Sequence, residues 1–168
     1  DMDSALPRLK RLDDLGVHSI EQPIKAGQPL LMQFLCQVSP LPIALDEELI
    51  GKFTNEDKAR TLDVIKPQYI VIKPTLTGGY SGAEEWIRLA RERGIGWWIT
   101  SSLESNIGLN ALAQWVATLG NDMPQGLGTG ALFTNNLDAP IHLLGDRLHY
   151  DPEKSLNREQ LDNLDWRE

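Results

Sequence analysis

A single cysteine, Cys36, is all the sequence holds, so no internal disulfide can form and a reducing compartment suits the chain. Positive charge is scarce too. Sixteen Lys and Arg stand against 24 Asp and Glu, a net charge of −8, which speaks against nucleic acid or an anionic membrane as partner. An anionic substrate stays possible, because a bound cation reverses the local field. No apolar run reaches transmembrane length and no secretory signal is present, so the expectation is a soluble, cytoplasmic protein. The three histidines, His18, His142 and His149, have no metal-ligand spacing. Neither GxGxxG nor a Walker pattern occurs, which weakens any reading as a nucleotide-binding open sheet.

What is present is a rhythm. With 168 residues, 41% of them hydrophobic, the chain can bury one core. Short apolar runs read as strands: 17–20 ending at Glu21, 42–45 ending at Asp46, 69–72 ending at Lys73, and 95–99 ending near Thr100 and Ser101. A weaker fifth lies at 125–129, around Gly126. Between them, apolar positions recur at helical spacing. Leu30, Leu31, Phe34, Leu35 and Val38 mark one helix, and Ala59, Leu62 and Ile65 a second, capped by Thr54 or Asn55. Trp86, Leu89 and Ala90 mark a third that stops at Gly94, and Leu109 to Ala117 a fourth.

Strands alternating with amphipathic helices predict parallel pairing through helical crossovers. A unit of about 25–28 residues matches one-eighth of a (β/α) barrel of roughly 250 residues. Five strands do not close such a barrel, so the predicted fold is α/β, a partial (β/α) TIM-type barrel. The chain starts at Asp1, without an initiator methionine, on a helix-start pattern that Asp3 or Ser4 can cap, with Pro7 in its first turn. We therefore expect a cut chain whose missing strands lie upstream. Residues 1–138 are expected to form the barrel part. Residues 139–168 are expected to pack back toward the missing region, with a strand or helix at 139–144, a strand at 147–150 and a capped helix from Asn157 to Leu164.

The charged strand ends carry the chemistry. In a parallel barrel they converge on one mouth. Glu21 and Asp46 would face each other from neighbouring strands; alone they repel, and around Mg²⁺ they supply hard oxygen ligands. Lys73 would set an ammonium group beside them. Each residue also has a simpler reading: a strand-end carboxylate is commonly a helix cap or a solvated loop charge, and Asp46 could cap the segment after it.

Ile20-Glu21-Gln22-Pro23, Ala44-Leu45-Asp46-Glu47 and Ile72-Lys73-Pro74-Thr75-Leu76-Thr77-Gly78-Gly79 resemble the fourth, fifth and sixth strand ends of the enolase superfamily's muconate-lactonizing branch. The Lys-Pro-Thr-Leu-Thr-Gly run, with Ser101-Ser102-Leu103-Glu104-Ser105 and Gly108-Leu109 after it, resembles the o-succinylbenzoate synthase family in particular. The resemblance implies strands four to eight of that barrel plus a C-terminal tail. It implies Glu21 and Asp46 as two of three carboxylate ligands to Mg²⁺, and Lys73 as the sixth-strand lysine on one face of the substrate. It implies Thr100, Ser101 and the backbone at Gly126 against the substrate's succinyl arm.

The implied reaction removes water from a cyclohexadiene carboxylate to give o-succinylbenzoate for menaquinone synthesis. Two parts of the family pattern are missing upstream of Glu21: the Lys-x-Lys strand that supplies the base and the first metal-binding aspartate. Lys10 and Lys25 read as solvated charges instead. The chain alone is therefore expected to be inactive. A racemase of N-acylamino acids, a dipeptide epimerase and a muconate-type cycloisomerase are the alternatives within the superfamily, although 126–130 lacks the acidic residues of the last two. From another class comes a non-catalytic half-barrel that dimerises or recruits the missing segment through its open edge. His18 reads as a packed or hydrogen-bonded residue, Cys36 as an apolar helix residue, Trp97 and Trp98 as core and helix-layer packing, Gly78-Gly79 as a close backbone approach to the substrate or a tight turn, and Thr129 and Gly130 as pocket floor.

Overall fold

In a computed structural model of the chain, residues 2–128 and 132–163 are described. The chain divides into two compact units, Asp1–Trp98 and Ile99–Glu168. In the first, helices α1 (Met2–Asp13), α2 (Pro29–Val38), α3 (Asn55–Ile65) and α4 (Gly79–Glu92) alternate with strands β1 (Ile20–Glu21), β2 (Ile43–Leu45) and β3 (Tyr69–Ile72). Strand β4 (Gly96–Ile99) follows, with its last residue opening the second unit. The sheet runs β1-β2-β3-β4, and the β1–β2 and β2–β3 pairs are parallel. This is the α/β, barrel-type arrangement that the alternation predicts.

The strands are short and dry. Ile43, Ala44, Leu45, Ile70 and Ile72 have no exposure, as expected of parallel strands with both faces covered. Against the sheet, α2 buries Met32 and Leu35, α3 buries Leu62 and Ile65, and α4 buries Ala83, Trp86 and Ala90. Thr54 caps α3 by accepting the Asp57 N–H at 3.1 Å. Lys58 on α3 is buried although charged; its Nζ donates to Glu85 at 2.6 Å and to the Gly82 carbonyl at 3.1 Å.

Two boundaries depart most from expectation. Strand β1 is only two residues, because its pairing begins at Ile20 opposite Ile43 and Val17–Ser19 find no strand partner. Helix α1 begins at Met2, so Asp3 and Ser4 lie inside it rather than before it, and Pro7 sits beyond the first turn. Asp1 lies outside the described residues.

In the second unit, α5 (Asn106–Ala117) is followed by a two-stranded antiparallel hairpin, β5 (Ile141–Leu144) and β6 (Arg147–Tyr150). Gly145, at φ +63°, opens its two-residue turn, a position where a side chain would be strained. The segment at 139–144, open between strand and helix in the sequence, is thus a strand. Helix α6 (Arg158–Asp162) is capped by Asn157, whose Oδ1 accepts the Gln160 N–H at 3.2 Å; the expected end at Leu164 lies outside the described residues. The fifth barrel strand is a single parallel bridge between Thr100 and Gly126, and Thr129 and Gly130 lie outside the described residues. Among the described residues no helix is long and apolar enough to cross a membrane.

Candidate active site

Register determines which side chains share a face. Ala44 pairs with Glu21 on one side and with Tyr69 on the other. Side chains alternate along a strand, so Asp46, two residues past Ala44, lies on the face of Glu21, and Lys73, four past Tyr69, lies there as well. Each strand end is stepped forward relative to the last. The three charged groups thus collect at the C-terminal ends of β1, β2 and β3, as the sequence predicts.

Asp46 does not cap the 3₁₀ turn at Glu47–Leu49; its side chain makes no capping bond. Instead its Oδ2 takes a charge-assisted hydrogen bond and ion pair from Lys73 Nζ. Asp46 is 8% exposed and Lys73 22%, so neither charge is freely solvated. Burial raises the Glu21 carboxyl above its ordinary value, and repulsion from Asp46 adds to the rise. Lys73 pulls it down, Glu47 pushes it up slightly, and a hydrogen bond from Trp98 lowers it.

The tryptophan pair divides as adjacent strand residues must. Trp97 is buried with the Arg91 guanidinium 5.2 Å from its ring centre, while Trp98 donates to Glu21 and lies 5.7 Å from the Tyr69 ring. Reading Trp98 as packing alone missed that polar contact. Gly96, two residues earlier, leaves the room for Tyr69: a Cβ there would come within 2.5 Å of Tyr69 Cε1. His18 is exposed, lies 5.1 Å from Tyr69 with the two rings tilted, and shares a hydrogen bond with Ser19 Oγ, so of the packed or hydrogen-bonded histidine expected it is the hydrogen-bonded one.

The other predicted residues lie in the second unit. Thr100 Oγ1 donates to the Gly126 carbonyl at 2.9 Å, and the Ser101 N–H donates to the same oxygen at 3.0 Å. A Cβ on Gly126 would fall 2.5 Å from Thr100 Oγ1, so only glycine permits this approach. Ser101 is buried.

The donor chemistry fits a hard divalent cation. Two carboxylates approach closely enough that one raises the proton affinity of the other, and a single lysine offsets them. Mg²⁺ takes hard oxygen ligands, commonly one or two protein carboxylates together with several waters, and Glu21 and Asp46 are donors of that kind. Among the described residues no group of three or more His, Cys, Asp or Glu side chains is placed to hold a metal ion.

A family model described as enolase C-terminal domain-like matches residues 1–144. The chain belongs to this family. Over 145 residues it is 57% identical to an o-succinylbenzoate synthase from Desulfotalea psychrophila, an alignment that takes in 86% of the chain and 39% of that protein. The crystal structure of MenC from the same organism superposes with a TM-score of 0.84 at 56% identity, covering 88% of this chain and 41% of that one. Muconate cycloisomerase from Pseudomonas fluorescens superposes at 0.83 with 28% identity, over 96% and 46% of the two chains. An N-succinylamino acid racemase from Thermus thermophilus is 32% identical over 61% of the chain and 27% of its own length. The chain therefore spans less than half the length of each of these relatives.

Proposed function

We propose that this chain carries the metal and lysine half of a Mg²⁺-dependent dehydratase that eliminates water from a cyclohexadiene carboxylate to give o-succinylbenzoate. The observation that carries the reading is the convergence of Glu21, Asp46 and Lys73 on one face of a parallel sheet, in a chain that is 57% identical to an o-succinylbenzoate synthase.

The chemical difficulty is a weakly acidic proton beside a carboxylate, whose removal piles negative charge onto carboxylate oxygens. A divalent cation supplies Lewis-acid stabilisation of that charge. Glu21 and Asp46 would hold it. Lys73, an ammonium anchored by Asp46, presents positive charge to the same anion from a fixed direction. Trp98, hydrogen-bonded to Glu21, would orient its carboxyl. Thr100, Ser101 and the Gly126 backbone would line the succinyl arm. The proton-abstracting lysine and a third carboxylate are assigned to barrel strands outside these 168 residues, and residues 139–168 to packing against that portion. The product belongs to menaquinone synthesis, the compartment is the cytoplasm, and a half-barrel edge left open would favour a homo-oligomer.

The test is dehydration of the cyclohexadiene carboxylate with Mg²⁺, by the chain alone and by the chain joined to the preceding portion of the Desulfotalea enzyme. Turnover by the joined form only, lost with Lys73→Ala and with chelation, supports the reading. Turnover by the short chain places the base within these residues and overturns the assignment. Similarity to the Thermus racemase favours one second reading, racemisation of an N-succinylamino acid. Deuterium exchange at the substrate Cα without water loss would select it.

A further inference from the structure

Gln22, next to Glu21, has a side chain fully committed to the neighbouring strand end. Its Oε1 accepts the N–H of Asp46 at 3.1 Å and that of Glu48 at 3.3 Å. Its Nε2 donates to the Ile24 carbonyl at 3.0 Å, and its own N–H extends the β1–β2 ladder by donating to the Ala44 carbonyl at 2.9 Å. The turn after β2 answers in kind. Buried Glu48 accepts the Gly27 N–H through Oε2 at 2.9 Å. Residues 22–27 and 46–48 are thus tied from both sides into one hydrogen-bonded unit.

This arrangement has a conformational cost. Gln22 sits at φ +40°, in the left-handed region that a residue with a Cβ rarely adopts. A glycine would occupy that backbone without penalty. One gain offsets that cost: a side chain of this length ending in an accepting oxygen satisfies two amides at the end of β2. The amide rather than a carboxylate also avoids adding a charge beside Glu21, Asp46 and Glu47.

We propose that Gln22 is a positioning residue for the cation site: it fixes the Asp46 backbone against the Glu21 strand end so that the two carboxylates meet at a set separation. The inference rests on the reading of Glu21 and Asp46 as cation ligands. Gln22 touches no reacting atom. Its work is to hold two ligand-bearing backbones in one frame, the task by which outer partners of a metal site change affinity about 10–100-fold.

The experiment uses Mn²⁺ as probe, with the full chain and its variants, following free Mn²⁺ by electron paramagnetic resonance and amide hydrogen exchange in the metal-free protein. Gln22→Leu should weaken Mn²⁺ binding about tenfold or more and speed exchange at the Asp46 and Glu48 amides. Gln22→Glu keeps an accepting oxygen and should bind Mn²⁺ at least as tightly as the wild type. A merely structural role would lower the melting temperature while folded Gln22→Leu kept its Mn²⁺ affinity; that result overturns the proposal, as does equal loss in both variants. Should Gln22→Leu not fold, exchange in the wild type decides, since unprotected Asp46 and Glu48 amides contradict the bonding. Asp46→Asn separates the two failures: undiminished Mn²⁺ binding by that variant sinks the ligand assignment itself.

Discussion

Lys73 donates from Nζ to Oδ2 of Asp46, and so joins the end of β3 to the end of β2 across 27 residues of sequence. The pair is mostly withdrawn from water, and its two members answer each other's charge. Removing one leaves the other poorly solvated.

Lys73→Met keeps the apolar stem and deletes the charge. It should destabilise the metal-free protein by about 2 kcal/mol, less than a fully buried broken pair because Lys73 retains some exposure. Urea denaturation measures this, and the double variant with Asp46→Asn should recover part of the loss. On the proposed function, dehydration by the chain joined to the preceding portion of the Desulfotalea enzyme should fall by about 10²–10⁴-fold, as for removal of a positioned charge or proton carrier.

Glu21 offers a test in pH. Its folded value is raised, so its charged form costs stability once pH exceeds that value, and the cost vanishes below the ordinary carboxylate value of 4.5. In the metal-free protein Glu21→Gln should therefore be neutral to stabilising at pH 7, with the difference from wild type closing as pH falls through the raised value. Thermal melts from pH 4 to pH 8 would show it. A variant less stable than wild type at pH 7 without metal would contradict the electrostatic account. With Mn²⁺ present the order should reverse, because the carboxylate then has a cation to bind.

Gly96 makes room for Tyr69. In Gly96→Ala the added methyl would lie within 2.5 Å of Cε1 of that ring, and the ring is wedged between His18 and Trp98. The clash should cost about 1–3 kcal/mol and shift Trp98 away from Glu21. Near-ultraviolet circular dichroism and tryptophan fluorescence report the second effect. Adding Tyr69→Leu should restore most of the stability, which a strain elsewhere in β4 would not allow.

Cys36, on α2, is 7% exposed, and burial pushes its thiol up to about 12. It should resist a disulfide-exchange reagent at pH 8 in the native protein and react fully in denaturant. Rapid native reaction would mean that α2 opens from the sheet.

The elements legible in the sequence are those whose apolar pattern is continuous. Tyr69–Ile72 matches β3 residue for residue, since Ile70, Val71 and Ile72 are buried on both faces and nothing polar interrupts them. Glu21, Asp46 and Lys73 were legible because each ends such a run. The run at 125–129 was weaker, and among its described residues the pairing is one bridge, at Gly126. Gln22 and Trp98 were not legible as site residues. The partners of Gln22 lie 24 and 26 residues away, and a side-chain amide gives no periodic signal of where it points. Trp98 shows only as an aromatic beside another aromatic until register assigns each a face.

No single strand or helix of this chain holds two of the three charged groups at Glu21, Asp46 and Lys73; each stands at the end of its own strand, and they meet through β1–β2 and β2–β3 pairing. The unfolded polypeptide therefore has no counterpart of the site. Any ion or substrate that needs all three is a ligand of the native sheet alone, and at a hundredfold excess over its dissociation constant it would add about 2.7 kcal/mol to the stability of that sheet. Occupancy and folding become one equilibrium, so a melting curve taken against ligand concentration reads the site without any chemistry taking place.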